Sequence, residues 1–394
     1  MIVVPLSDRT HGAVHHALLS LGWEGDLASL TGGGLATSAF LVHGVDEEAI
    51  EAMLPLAGRL GLEMVTGDGW IILAGGRSRL GAFARPWVQP EPVRALADAI
   101  GRAMPPEPAT TWQHATGALS LADPVLLGIV NVTPDSFSPP SRARDASEAL
   151  HLVDRLRAGG ATMIDVGGES TRPGALPVAA DEERARVVPV IAAIAARHPD
   201  LPLAVDTVRA ATAKAAIEVG ASVINDVTAG RHDPEILQVA AASGAGVVLS
   251  HSRGALGALA SYELADYAGD VTSGVVRELA AARAAAHAAG IADERIVLDP
   301  GFGFAKTPAQ NFTLLDQLDA VVALGRPVLI GVSRKRFLAG VTSDDLEALD
   351  RATAAACVLA HDRGARLFRV HDPATARDAL AVAAARGRQT HHGG

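Results

Sequence analysis

Apolar residues follow two different rhythms along this chain. In the first part, short runs of strand length alternate with helical spacing. Met1–Leu6 and Thr37–Gly44 read as strands, and Glu63–Gly75 reads as two strands joined at Gly67-Asp68-Gly69, a hairpin turn signal. His11–Leu21, Asp46–Leu60 and Pro92–Met104 carry helical periodicity, with Pro55 placed to kink the second of them. The order βαβαββα predicts a small two-layer α/β domain and is compatible with a ferredoxin-like layout. Pro105-Pro106-Glu107-Pro108 then forms a stiff linker.

Beyond the linker, short apolar runs alternate with longer helical segments eight times. The predicted strands are Val125–Val132, Met163–Gly167, Leu203–Asp206, Ser222–Asp226, Gly246–His251, Ile296–Asp299, Pro327–Ser333 and Arg366–His371. Such nearly continuous apolar runs are expected of strands buried on both faces. The helices fall at Ala146–Ala158, Glu182–Ala196, Ala210–Val219, Pro234–Ala242, Val271–Ala289, Pro308–Leu324, Leu346–Arg363 and Ala374–Arg386. Asp233-Pro234 and Asp372-Pro373 combine a capping side chain with a proline suited to a first turn. Eight units between about Val125 and Gly387 predict a (βα)8 TIM barrel. A doubly wound sheet, the alternative, usually has fewer repeats. The expected division is a small α/β domain at 1–115, linker included, and a barrel at 116–394.

Composition narrows the functional classes. With 394 residues, 49% of them hydrophobic and 20% charged, the chain has material for two domains and a sizeable core. A net charge of −10 speaks against a nucleic-acid surface, yet leaves room for a locally basic site that takes a small anion. A single cysteine, Cys357, in an Ala-rich helical stretch reads as a core position and excludes a disulfide framework or a cysteine zinc site. No apolar run approaches the ~20 residues of a membrane span, and the start lacks the features of a signal peptide. A cytoplasmic protein without a membrane partner is the expectation.

Candidate chemistry collects where the predicted strands end, the face on which barrel active sites lie. Asp206, Asn225 and Asp299 offer carboxylates and an amide suited to the donor–acceptor edge of a fused heterocycle bearing an amino group. Lys335 and Arg172 bring positive charge to the same rim. Arg369 and His371, two apart on the last strand, suit a diphosphate, with arginine giving bidentate contact. Asn131 and Asp135 are hard oxygen ligands suited to one Mg2+ held mostly by water and phosphate oxygens. Glu169 and Asp226 read as makers of local structural hydrogen bonds, and His251 reads more often as structural than as functional.

Asn-Val-Thr-Pro-Asp-Ser-Phe-Ser from Asn131, Gly-Glu-Ser-Thr-Arg-Pro-Gly from Gly168, Asp-Pro-Gly-Phe-Gly-Phe from Asp299, Ser-Arg-Lys from Ser333 and Arg-Val-His-Asp from Arg369 occur in this order. Over about Val125 to Ala385 the chain resembles the dihydropteroate synthases. The resemblance implies a transferase of folate biosynthesis that condenses 6-hydroxymethyl-7,8-dihydropterin diphosphate with 4-aminobenzoate, giving 7,8-dihydropteroate and diphosphate. It further implies that Asp206, Asn225, Asp299 and Lys335 hold the pterin and that Arg172, Arg369 and His371 take the diphosphate. Thr171, Pro173 and Arg336 would border the aminobenzoate. Asn131 would contact Mg2+, with Asp135 in the first loop beside a developing pterin methylene cation. Catalytic contributions are thus expected of Asp135, Arg172 and Lys335. Its partners are then small molecules, and a homodimer follows by family analogy.

The chain departs from the usual family pattern in three places. Pro139-Pro140-Ser141-Arg142 replaces an Asp- and Gly-containing loop, Ser250 stands where Met is frequent, and Arg336 where Ser is frequent. Two other readings compete. A pterin-binding methyltransferase barrel would have no need of Ser-Thr-Arg-Pro-Gly, Ser-Arg-Lys or Arg-Val-His. A non-catalytic pterin-binding paralogue would have no need of the anion-binding set.

Overall fold

The computed structural model describes residues 2–6, 38–75, 77–104, 109–132, 143–169 and 178–389, and divides the chain into two compact units, 1–106 and 107–394. The predicted His11–Leu21 helix lies outside the described residues.

Among its described residues the first unit contains four strands, β1 (Ile2–Leu6), β2 (Ser38–His43), β3 (Glu63–Gly67) and β4 (Trp70–Gly75). They form one sheet in the order β1-β2-β4-β3, with every neighbouring pair antiparallel. The expected hairpin turns where predicted, with Gly69 at φ 69°. A ferredoxin-like split βαβ arrangement would interleave the strands; here β1 pairs directly with β2, so that layout does not form. The Glu47–Leu60 helix starts on an Asp46 cap, whose side chain accepts from the Ala49 N–H, and ends on left-handed Gly61. It accommodates Pro55 in its interior. Phe40, Val42, Ile71, Leu73, Met53, Phe83, Leu96 and Ile100 fill this unit's core.

The second unit opens with a hairpin absent from the sequence reading, β5 (Thr111–His114) and β6 (Gly117–Ser120). Eight parallel strands follow: β7 (Val125–Asn131), β8 (Met163–Gly167), β9 (Leu203–Asp206), β10 (Val223–Asp226), β11 (Gly246–Ser250), β12 (Ile296–Asp299), β13 (Leu329–Ile330) and β14 (Leu367–Val370). Their order, β12-β11-β10-β9-β8-β7-β14-β13, is completed by a parallel bridge from Leu298 to Val328, so the sheet returns on itself as a near-closed barrel. Helices lie between the strands, as the alternating pattern predicts. The β13 strand is much shorter than the predicted Pro327–Ser333. Pro327 has no N–H to give a ladder, and beyond Ile330 the chain turns, with the Lys335 N–H on the Val332 carbonyl and Arg334 at φ 56°. The single predicted Pro308–Leu324 helix is two, Pro308–Asp316 and Asp319–Val322.

The hairpin explains how the barrel floor is filled. Trp112 is fully buried among Leu127, Met163, Val223, Val248, Val297 and Leu367, and its Nε1–H donates to the Arg295 carbonyl at 3.0 Å. The compact-unit division places this hairpin with the barrel. Outward-facing strand residues such as Ile164, Val205, Ile224, Leu298 and Phe368 pack against the helices in the largest core cluster. Cys357 belongs to that cluster, and burial pushes its thiol up to about 12. Among the described residues no helix is long and apolar enough to cross a membrane.

Candidate active site

Strand periodicity builds the site. The floor layer includes Met163, Ala204, Val223, Val248, Val297 and Leu367. Side chains two positions further along a strand point to the same face. On β8, β9, β10, β11, β12 and β14 these are Asp165, Asp206, Asn225, Ser250, Asp299 and Arg369. An apolar layer is therefore topped by a polar one inside the same barrel. Register brings them level: Asp206 aligns with Asn225, and Ser250 with Asp299.

The polar layer is tightly connected. Asp165 is fully buried; its Oδ2 accepts from Asn225 Nδ2 at 3.0 Å and from Arg369 Nε at 2.5 Å. Arg369 Nη2 donates to Asp206 Oδ2 at 2.8 Å. One guanidinium thus serves two carboxylates. Removal from water pushes Asp206 up to about 7, the nearby Arg369 opposing and Asp165 adding to the rise. Arg369 is held even more firmly in its charged form by Asp165 and Asp206, against the cost of its own burial. Two buried acceptor atoms here, Asp165 Oδ1 and Asn225 Oδ1, have no hydrogen-bond partner among the described residues. Buried acceptors are rarely left so; a ligand presenting N–H groups would satisfy both. A small cleft opens alongside, lined by Asp206, Thr207, Val208, Val227, Leu256, Glu169 and Glu183.

Asp299 ends β12 with both oxygens engaged. Oδ1 accepts from the Gly301 N–H at 2.7 Å and Oδ2 from the Ser250 hydroxyl at 3.1 Å. Burial raises its carboxyl; the Gly301 and Ser250 hydrogen bonds and the charges of Lys335 and Lys306 oppose the rise. Only glycine fits position 301: φ is 68°, and a Cβ would sit 1.7 Å from the His251 carbonyl oxygen. The Lys335 ammonium lies over the Phe304 ring, 4.2 Å from its centroid. Phe304 packs with Val208, Val227 and Leu259 as an apolar patch above the polar layer.

The remaining expected residues divide clearly. His371 Nδ1 meets the Ser333 hydroxyl at 2.8 Å, while that oxygen accepts from the His371 backbone N–H at 3.1 Å. Ser333 thus holds both the ring and the backbone of His371 in place at the end of β14. Arg336 turns to the Ala260 carbonyl at 2.8 Å and lies over the Tyr262 ring. Asn131 ends β7 beside Gly167 of β8. Asp135, Thr171, Arg172 and Pro173, together with the Pro139-Pro140-Ser141-Arg142 segment, lie outside the described residues. Glu169 and Asp226 make local bonds: Glu169 accepts from the Val178 N–H at 3.0 Å and from Arg209 at 2.6 Å, and Asp226 accepts from Thr228 and Gly230.

Three residues of this region carried no assigned role in the sequence reading. Asp165 interrupts an otherwise apolar strand, Met-Ile-Asp-Val-Gly, and that interruption was the available signal. Ser250 registered only as a missing methionine. Lys306 lies just past the Phe-Gly-Phe turn and is 1% exposed, which nothing in its local sequence announces.

Comparison with known proteins fits this geometry. The profile of the family described as pterin binding enzyme matches residues 127–371. The chain is 42% identical over 259 residues to the dihydropteroate synthase of Streptococcus pyogenes, a match covering 65% of this chain and 93% of that one. Its fold is similar to that of the Xanthomonas albilineans dihydropteroate synthase with 4-aminobenzoic acid, at a TM-score of 0.64 and 41% identity, covering 71% of this chain and 98% of that one. It is likewise similar to the Burkholderia cenocepacia dihydropteroate synthase complexed with 7,8-dihydropteroate, at 0.63 and 37%, covering 72% and 98%. With a barrel of this topology and a family match over more than half of its length, the chain belongs to the dihydropteroate synthase family of pterin-binding enzymes.

Proposed function

We propose that this chain catalyses the condensation of 6-hydroxymethyl-7,8-dihydropterin diphosphate with 4-aminobenzoate. The observation that carries the reading is the buried polar layer, above all Asp165 Oδ1 and Asn225 Oδ1, which lack donors among the described residues. A dihydropterin edge presents an amino group and ring N–H groups to such acceptors. Asp206, Asn225 and Asp299 read that edge and Lys335 closes over it. Arg369 and His371 line the side from which the diphosphate departs, with Arg172 joining them. Arg369 also holds Asp165 and Asp206, so it links the pterin edge to the anion side. Thr171, Pro173 and Arg336 border the aminobenzoate.

The reaction asks for electrostatics rather than a nucleophile. The bond between the pterin methylene carbon and the diphosphate oxygen breaks, and its electron pair leaves with the diphosphate. The arylamine nitrogen bonds to the methylene carbon and then loses a proton. Carboxylates near a developing cation and cations near a departing anion are the groups that lower such a barrier. Asp135 is assigned to the cation and Arg172 and Lys335 to the anion and ring. Asn131 fits Mg2+ only as a minor ligand: one amide oxygen, with no group of three acidic, histidine or cysteine side chains beside it among the described residues, leaves most positions to water and phosphate oxygens. When bound, the ion would offset charge on the leaving diphosphate.

Incubating the protein with the pterin diphosphate, 4-aminobenzoate and Mg2+ should release diphosphate and form dihydropteroate together. Tight pterin binding without turnover would identify a binding paralogue instead. Asp206→Asn should weaken pterin binding by about tenfold or more, since a charged hydrogen bond is worth about 1.5–3 kcal/mol; unchanged affinity in a calorimetric titration would remove Asp206 from the site. A cytoplasmic location and a homodimer are part of the same reading. Leu359 and Val382, 57% and 74% exposed on the last two helices, support the latter. Sedimentation should then report twice the chain mass.

A further inference from the structure

The turn after β12 is an unusual piece of backbone. Gly301, Gly303 and Ala305 all have positive φ, at 68°, 79° and 46°. The last is a conformation that an alanine adopts only when its surroundings impose it. This turn links Asp299 to Phe304, and a Cβ on Gly303 would meet the Lys335 side chain at 3.0 Å. Its shape therefore decides where three elements of the pterin site stand.

Lys306 supplies the restraint from behind. Its side chain is buried, and Nζ lies 3.0 Å from the Gly301 carbonyl oxygen, 3.1 Å from that of Phe304 and 2.9 Å from His251 Nδ1. The other face of the imidazole meets Glu278, with Nε2 3.1 Å from the carboxylate. Glu278 also pairs with Arg253, and the two hold its carboxyl well below the usual range, so it is ionised. An ionised acceptor places the ring proton on Nε2 and leaves a lone pair on Nδ1. Nζ then faces three acceptors and no donor, which matches the three hydrogens of an ammonium.

We propose that Lys306 is a positioning residue for the condensation: its ammonium, held by His251 and through it by Glu278, fixes the 301–306 turn so that Asp299 and Phe304 face Lys335. This rests on the synthase reading of the site. The charged and titratable groups around Lys306 are His251, Glu278 and Arg253 on one side and Asp299 and Lys335 on the other. Burial pushes Lys306 down to about 7 and His251 to about 4, so the network holds one proton that leaves near neutrality, and that proton is on the lysine. Loss of it converts one of the three donors into a lone pair and loosens the turn.

The test compares wild type, Lys306→Met and Glu278→Gln, following kcat and both KM values across pH 6–9. Wild-type kcat/KM for the pterin diphosphate should fall as pH rises through about 7. Lys306→Met should lose on the order of 100-fold at the acid end, the penalty of a displaced site, and should lack that alkaline limb. Glu278 is 36% exposed, so Glu278→Gln should fold normally. Removing its charge should move the limb to lower pH without affecting the acid plateau. A purely structural network would lower the melting temperature of both variants and leave the limb where it is. Wild-type kinetics in Lys306→Met, or an unmoved limb in Glu278→Gln, would overturn the inference while leaving the synthase reading intact. Absence of wild-type turnover would overturn both.

Discussion

Ser250 shows what a single side chain can alter in a shared layout. Where many relatives are expected to carry a methionine, this chain gives a hydroxyl to Asp299 Oδ2 at 3.1 Å. Ser250→Ala should weaken pterin binding roughly tenfold, the usual value of a bond to a charged group; a calorimetric Kd equal to wild type would show that the hydroxyl only fills space. Asp206 carries a pH expectation. Its carboxyl is raised to about 7 in the folded chain, against about 4 when unfolded. Ionisation is therefore disfavoured in the fold, and the cost is absent below about 4, grows between 4 and 7, and is complete above 7. The ligand-free protein should lose this stability increment as pH rises through that window. The difference in melting temperature between wild type and Asp206→Asn should slope between pH 4 and 7, and a flat difference would contradict the assignment.

At the level of elements, the short β13 strand matters because the segment that follows it presents Lys335. The Ser-Arg-Lys pattern places two cations side by side on paper. In the fold they part: Arg334, at φ 56°, makes a paired contact with Asp350 at 2.7 and 2.8 Å, and its N–H reaches the Thr353 hydroxyl at 3.1 Å. Both members of the ion pair are nearly buried, at 9% and 13% exposure. Arg334 is thus an anchor that leaves Lys335 at the mouth. Asp350→Ala takes the paired carboxylate away from a nearly buried guanidinium, so it should cost about 3–5 kcal/mol and raise the KM for the pterin diphosphate. Urea denaturation and steady-state kinetics measure the two effects. A stability change below about 1 kcal/mol would mean that the pair is worth no more than a surface one. Periodicity alone located these elements well, since buried parallel strands and amphipathic helices both write themselves into the apolar pattern. It overextended β13 at its far end, because Val332 is apolar whether or not its backbone groups enter a ladder.

Seen whole, the barrel is a floor, a polar layer and a set of loops. The floor is closed by Trp112, brought from a hairpin outside the eight-strand repeat. Trp112→Ala should destabilise the protein by about 3–5 kcal/mol, as large-to-small core changes do. At a temperature where the variant remains folded, turnover should stay near wild type, because the polar layer lies above the plugged one. A loss of pterin affinity larger than the loss of stability would show that the plug sets the layer's geometry. Much of this architecture is readable from the chain alone. Alternation of apolar runs gives eight units, and period two puts Asp206, Asn225, Asp299 and Arg369 on the inward face, since that periodicity is a property of the extended backbone. Who meets whom is another matter. Arg369 finds Asp165 and Asp206 across sequence separations of 204 and 163, and Lys306 finds His251 across 55. Such partners are chosen by barrel closure and by the exclusion of water, which forces each buried charge to take the nearest opposite one. No local pattern records that choice, so only the folded chain turns a set of strand-end polar residues into one connected site.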